Sequence, residues 1–235
     1  MFVKKYLIFS GILLGLVGCG TVPPVSPEAS GPDSTSAAEE VAPSPSPTSP
    51  ATETTVSDER RISAEGIGLA KLGMTLGELK QALGAETEFV VQSPFISDFD
   101  AIAVRQAGEV QFYILYLAGE TFTDEDVIQG LMTDNPKFLT GESVGAGVAI
   151  AQAESAYGKA TLSYNTQNEG REYVRFENHP ASNLSFGTGN FNQQMAGVYP
   201  STTADFNETQ EFQPTATITS VLVVCLAESC VGAGN

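Results

Sequence analysis

The sequence predicts an α+β protein: two tandem units, each a short helix followed by an antiparallel sheet, set behind a disordered tether. Three observations point there. KLGMTLGELKQALG at 71–84 is echoed by GAGVAIAQAESAYG at 145–158, with Gly73 and Gly84 falling on Gly147 and Gly158 at one constant offset. Apolar side chains recur at Leu76, Leu79 and Leu83, and again at Ile150, Ala153 and Tyr157, which is one face of a helix in both copies. After each helix the chain turns to short β-branched and aromatic runs separated by glycine-containing turns.

In chain order, the first element is an export signal. Lys4 and Lys5 precede an apolar run from Tyr6 to Val17, a charged n-region and an h-region too short for a stable membrane span. The run ends Leu16-Val17-Gly18-Cys19. Small residues before a cysteine suit a peptidase that needs a compact substrate, and the cysteine thiolate accepts a diacylglyceryl group before cleavage. The pattern resembles a bacterial lipoprotein lipobox. The resemblance implies that residues 1–18 are removed and that Cys19 is the lipidated first residue; a plain signal peptide with an incidental cysteine is the alternative. Gly20, rather than Asp, follows the cysteine. By the same resemblance, this implies the outer membrane of a two-membrane bacterium, or the outer face of the cell membrane in a single-membrane host.

Residues 19–58 follow as the tether. They are dominated by Pro, Ser, Thr, Ala and Glu, with almost no large apolar residue to offset the entropy of ordering the chain. Proline density makes such a segment semi-extended at roughly 3 Å per residue, so its expected role is reach. A proline-rich recognition motif is the rival reading, but no PxxP with a flanking basic residue is present.

The first unit spans 59–140. Thr75 with Glu78 is a capping box, and Gly84 stands where a helix takes a left-handed last residue. Strands are expected at Thr87–Gln92, Ala101–Gln106 and Val110–Ala118, with a turn at Ala107-Gly108. A short helix is expected over Glu125–Met132, with Thr123 as N-cap. The second unit spans 141–235. It keeps Gln152 and Gly158 but has Ala149 in place of the capping threonine, which predicts a less well capped helix. Its strands are expected at Ala160–Tyr164, Glu172–Glu177, Asn183–Phe186 and Thr215–Cys225, with a turn at Asn168-Glu169-Gly170.

The stretch "LGMT", its acidic helix and the closing "LG" resemble the small outer-membrane assembly lipoproteins of the SmpA/OmlA type. A tandem duplication of this period is similar to the beta-lactamase inhibitory protein fold, and FLTGESVGAGVAIAQAESAYG resembles a second-half signature of envelope lipoproteins. The resemblance covers residues 64–164. It implies a non-enzymatic protein-binding scaffold in the cell envelope, with an envelope protein as partner.

Charge narrows the partners further. The chain carries 28 acidic against 11 basic residues, a formal net charge of -17. Nucleic acid and anionic headgroups repel such a surface. Membrane attachment is therefore expected through acyl chains, at roughly 0.8 kcal/mol per buried CH₂.

Motifs for chemistry are sparse. Gly145-x-Gly147 lacks the third small residue of a dinucleotide fingerprint, since position 150 is isoleucine. His179 is the single histidine, sits before Pro180, and reads as an exposed turn residue rather than a base; no G-x-S-x-G surrounds any serine. Asp124-Glu125-Asp126 begins like a calcium loop, but Ile128 and Gln129 break the pattern, and an acidic first helical turn fits better. Asp98 and Asp100 flank Phe99 between strands and read as a solvated loop, with a cation site as the alternative. No spacing fixes a catalytic carboxylate pair, and the chain has no tryptophan to stack a sugar. The expectation is a protein without enzymatic activity, cofactor or bound metal. An envelope hydrolase using Asp or Glu carboxylates and a small-ligand or cation-binding lipoprotein are the alternatives.

Two features remain. With Cys19 lipidated, Cys225 and Cys230 are left in an exported chain; a structural disulfide closing CLAESC is the reading, two free thiols the alternative. The long loop at 187–213 carries Phe191, Met195, Tyr199, Phe206 and Phe212 among Asn, Gln, Thr and Gly. Aromatics in a polar, adaptable setting mark contact surfaces, so these five are the candidate partner-binding residues, beside the faces of the sheets. A mobile excursion whose aromatics pack on themselves is the alternative.

Overall fold

The β-branched and aromatic runs pair into one large sheet. The computed structural model describes residues 57–96, 98–190, 194–200 and 204–226. Strands β1 (Ile62–Ser63), β2 (Gly66–Ile67) and β3 (Ala70–Lys71) form a small meander that leads into helix α1 (Leu76–Leu83). Then come β4 (Glu88–Ile96), β5 (Phe99–Gln106), β6 (Glu109–Leu117) and β7 (Gly130–Thr133). Helix α2 (Ile150–Tyr157) precedes β8 (Ala160–Asn165), β9 (Arg171–Phe176), β10 (Leu184–Asn190), β11 (Phe206–Thr209) and β12 (Ser220–Val224). Among the described residues the large sheet has nine strands, in the order β11-β8-β9-β10-β12-β7-β6-β5-β4. Every neighbouring pair is antiparallel.

This arrangement corrects the expected fold class. Among the described residues the chain is mostly antiparallel sheet with two eight-residue helices, not two tandem helix-plus-sheet units. The joint is β7 on β12, where Thr133, Met132, Leu131 and Gly130 face Val221, Leu222, Val223 and Val224. Hydrogen bonding therefore runs straight across the boundary placed near residue 140. The expected helix over Glu125–Met132 is absent as well. Thr123 and Asp126 close a turn instead, the Asp126 carboxylate accepting from the Thr123 amide (2.6 Å) and hydroxyl (2.7 Å). Downstream, Leu131 and Thr133 are fully buried while Met132 between them is not, a period of two that belongs to a strand.

The echo between 71–84 and 145–158 marks two helix starts of similar construction. In α1 the Thr75 amide donates to Glu78 Oε2 (2.8 Å), and the Glu78 amide donates to Thr75 Oγ1 (3.2 Å), completing the capping box. The Leu76 and Gly77 amides donate to the carbonyls of Asp126 and Asp124, so the acidic turn caps α1 with its backbone. Ala149 offers α2 no side-chain cap, and the Ile150 amide instead donates to the Ala216 carbonyl at 3.0 Å. Both helices stop at a glycine with φ 79°, where a side chain would be strained.

Both helices lie on one face of the sheet, the inner face. Leu76, Leu79, Ile150, Ala153 and Tyr157 pack there against Ile102, Val104, Phe112, Ile114, Leu131, Leu162, Val174, Phe186 and Val223. Each fully buried aliphatic side chain of this kind contributes about 1.5–3 kcal/mol.

Candidate functional site

Side-chain direction decides what the five loop aromatics and their neighbours can touch. The described residues of segment 187–213 are not a structureless loop: they contain the end of β10, the Gly197↔Phe212 bridge and strand β11 on β8. Its anchor is Glu172 of β9, 1% exposed. The Glu172 carboxylate accepts from the Thr188 hydroxyl (2.9 Å), the amides of Ala196 (2.7 Å) and Gly197 (2.8 Å), and the Tyr199 phenol (2.9 Å). Burial, reinforced by that carboxylate, holds the Tyr199 phenol far above its ordinary pKa. Tyr199 also meets Tyr164 edge-on at 4.7 Å. Phe212 packs against the core, and Met195 is half-buried. Phe206, 54% exposed on the edge strand, faces solvent. Phe191 lies outside the described residues, as do Cys19 and Cys230. Cys225 follows β12 and donates its amide to the Gln129 carbonyl (2.8 Å). The described candidates thus do not converge on one contact surface.

Groups considered for chemistry are tied into the fold. The His179 ring is half-buried rather than exposed. Its Nε2–H donates to the Leu184 carbonyl (2.9 Å) and Nδ1 accepts from the Phe176 amide (3.4 Å), which defines the neutral tautomer. Burial lowers its pKa, with Arg175 adding to the effect. Asp100 is buried rather than solvated and accepts from the Gly119 amide (3.0 Å), while Asp98 is exposed. Asp124 pairs with Lys80 at 2.6 Å. The Tyr157 phenol bridges Thr140 (2.6 Å) and Glu142 (2.7 Å), and burial raises its pKa. Gly145 is a packing glycine: a Cβ there would meet the Phe138 carbonyl oxygen at 2.3 Å. Among the described residues, no group of three or more His, Cys, Asp or Glu side chains is gathered as a metal site. An open depression of about 530 Å³ lies between Glu65, Lys71, Asn183 and Leu226.

The outer face of the sheet is the larger feature, and its two halves differ. Register places Val90, Ala103, Tyr113, Met132 and Leu222 in one cross-strand row, and Ala101, Leu115, Gly130 and Val224 in the next. Within the irregular part of β4, between Gln92 and Ile96, Phe95 lies against Tyr113, ring centroids 4.8 Å apart. Burial and the Asp134 charge raise the Tyr113 pKa. Leu117, paired with Phe99, is 47% exposed and Val90 39%. Across β8, β9 and β10 the same face carries Thr161, Ser163, Tyr173, Arg175 and Ser185. A sequence signal for the apolar half exists: FVV, AIAV and YILYL are continuous apolar runs, which a strand needs only when both its faces are apolar.

No family model and no curated protein matches the chain. Among solved structures, the chain is similar to the crystal structure of the uncharacterized protein YfeY from Escherichia coli. The match has a TM-score of 0.43 and 11% sequence identity, covering 70% of this chain and 99% of that one.

Proposed function

We propose that this chain is a lipid-anchored, non-enzymatic protein-binding module of the cell envelope, with the apolar half of its outer sheet face as the contact surface. One observation carries the reading. Over β4 to β7 the sheet presents Val90, Phe95, Tyr113, Leu117 and Met132 on the side away from both helices. Val90 and Leu117 are exposed and Phe95, Tyr113 and Met132 part-buried, with Ala101, Ala103 and Leu115 buried between them; apolar side chains left partly open on a sheet face without helices suit an interaction site, with the aromatic pair as an anchor. The lipobox at Cys19 supports the tethering, with the acyl chains in the outer membrane where the host has two membranes. The charge of -17 favours a polypeptide partner over a polyanion.

Leu117→Asp is the direct test, applied to the full lipoprotein with membranes crosslinked before capture. Because Leu117 is already half exposed, the fold should lose no more than about 0.5 kcal/mol. Recovery of the envelope partner should fall by about tenfold or more. Equal recovery by wild type and by a folded Leu117→Asp chain removes this face from the contact; recovery of nothing by wild type, beside a lipoprotein control that recovers its partner, removes the binding reading itself.

A further inference from the structure

Among the described residues, strand order leaves β4 at the edge of the sheet, with β5 as its one neighbour. Its regular part, Glu88 to Gln92, pairs with β5 on one side only, and the register breaks between Gln92 and Ile96, where Pro94 sits. Unpaired edges are normally blunted by charge, proline or a bulge, because a row of open amides and carbonyls templates another strand. Here the proline and the irregularity guard only one end. The unguarded stretch holds two adjacent valines, with Val91 62% exposed and Val90 39%.

From this edge we infer that the chain forms a two-fold dimer in which β4 pairs antiparallel with β4 of a second copy, centred on Val90. The occupant follows from what each side chain would face. Centred on Val90, the pairing sets Val90 opposite Val90 of the second copy and Phe89 opposite Val91. Aromatic and β-branched residues are a favoured cross-strand pair. Each Glu88 faces a Gln92 amide, so no carboxylate meets another, although the chain is strongly acidic. A shift of one residue sets Phe89 opposite Gln92 and turns the outer face of one copy to the inner side of the other. Centred on Val90, the outer faces stay on one side, and the two apolar halves become neighbours in a continuous sheet. The opposite edge, β11, is only four residues long and is bounded by Asp205, whose carboxylate is held by Thr166 and Gln167.

Register-specific crosslinking in the full-length lipoprotein tests this. Residues directly opposite in an antiparallel pair have Cα atoms about 4.5–5.5 Å apart, within disulfide reach. Val90→Cys should therefore give a reducible self-dimer about tenfold above the wild-type level set by the native cysteines. Val91→Cys alone should stay near that level, yet should crosslink to a second, differently tagged chain carrying Phe89→Cys. Wild type should sediment as a dimer in detergent. Val90→Lys, which sets two ammonium groups face to face, should sediment as a folded monomer. A folded Val90→Cys chain that gives no dimer overturns the pairing. Equal yields from Val90→Cys, Val91→Cys and Leu117→Cys overturn it too, because they report random collision.

Discussion

Segment 187–213 and the outer face of β4 to β7 both carry aromatics, and they use them in opposite ways. In the segment, Tyr199 bends inward to Glu172 and Tyr164, and Phe212 packs against the core. On the outer face, Phe95 and Tyr113 lie against each other at a tilt on the side without helices, beside exposed Leu117 and Val90. Composition marks both regions as sticky. Only strand register tells which one holds the protein together and which one is free to hold something else.

The largest effect that tests this contrast lies at Glu172. Glu172→Ala leaves four donors without an acceptor in a buried site, and the expected loss of stability is about 3–5 kcal/mol. Chemical denaturation measures it, and a loss below about 1 kcal/mol would show that the segment is not anchored as described. Next is the binding contrast. Phe206→Asp, on the exposed edge of the segment, should leave partner recovery within about twofold, against the tenfold loss expected of Leu117→Asp. If the two swap, the segment rather than the sheet face is the contact.

Smaller effects sharpen the inner side of the comparison. Tyr199→Phe deletes one of the four bonds to Glu172 and should cost about 1–2 kcal/mol, whereas Tyr113→Phe should cost less than half of that, since among the described residues no hydrogen bond to the Tyr113 phenol anchors a segment. His179 gives a pH signature. Its folded pKa lies below the ordinary 6.5, so its neutral form belongs to the fold. Its contribution is fully present above about pH 6.5 and is lost as pH falls through the folded value. Stability measured at successive pH values should therefore drop more steeply below pH 6.5 in wild type than in His179→Gln. The smallest effect concerns the helix starts: Thr75→Ala should cost about 1 kcal/mol, while Ala149→Ser should add a few tenths to α2.

How much of this was legible in the sequence depends on the range of the signal. Local signals were readable. The Thr75 and Glu78 capping box, the terminal glycines, both helices and the turn at Ala107-Gly108 all follow from residues a few positions apart. The larger architecture was not, because a repeat at the helix starts says nothing about which strand edges join. The pairing of β7 with β12 merges two expected sheets, and β7 is only four residues long behind an acidic stretch that mimics a helix start. The site was half readable for the same reason. Aromatic content pointed to 187–213, yet Glu172, which pulls Tyr199 inward, lies 27 residues from it in sequence. The apolar half of the outer face was written in FVV, AIAV and YILYL, and needed the register to be seen as one surface.

The most direct test of the central claim is a positional photo-crosslinking scan in the full-length chain expressed in its own host. A photoreactive residue is placed at Leu117 or Met132 on the apolar half, and at Thr161 or Ser163 on the polar half. Adducts to a partner from Leu117 and Met132, with none from Thr161 and Ser163, are the predicted result. Adducts from the polar half alone, or equal yields from both halves, would contradict the assignment of binding to the apolar outer face.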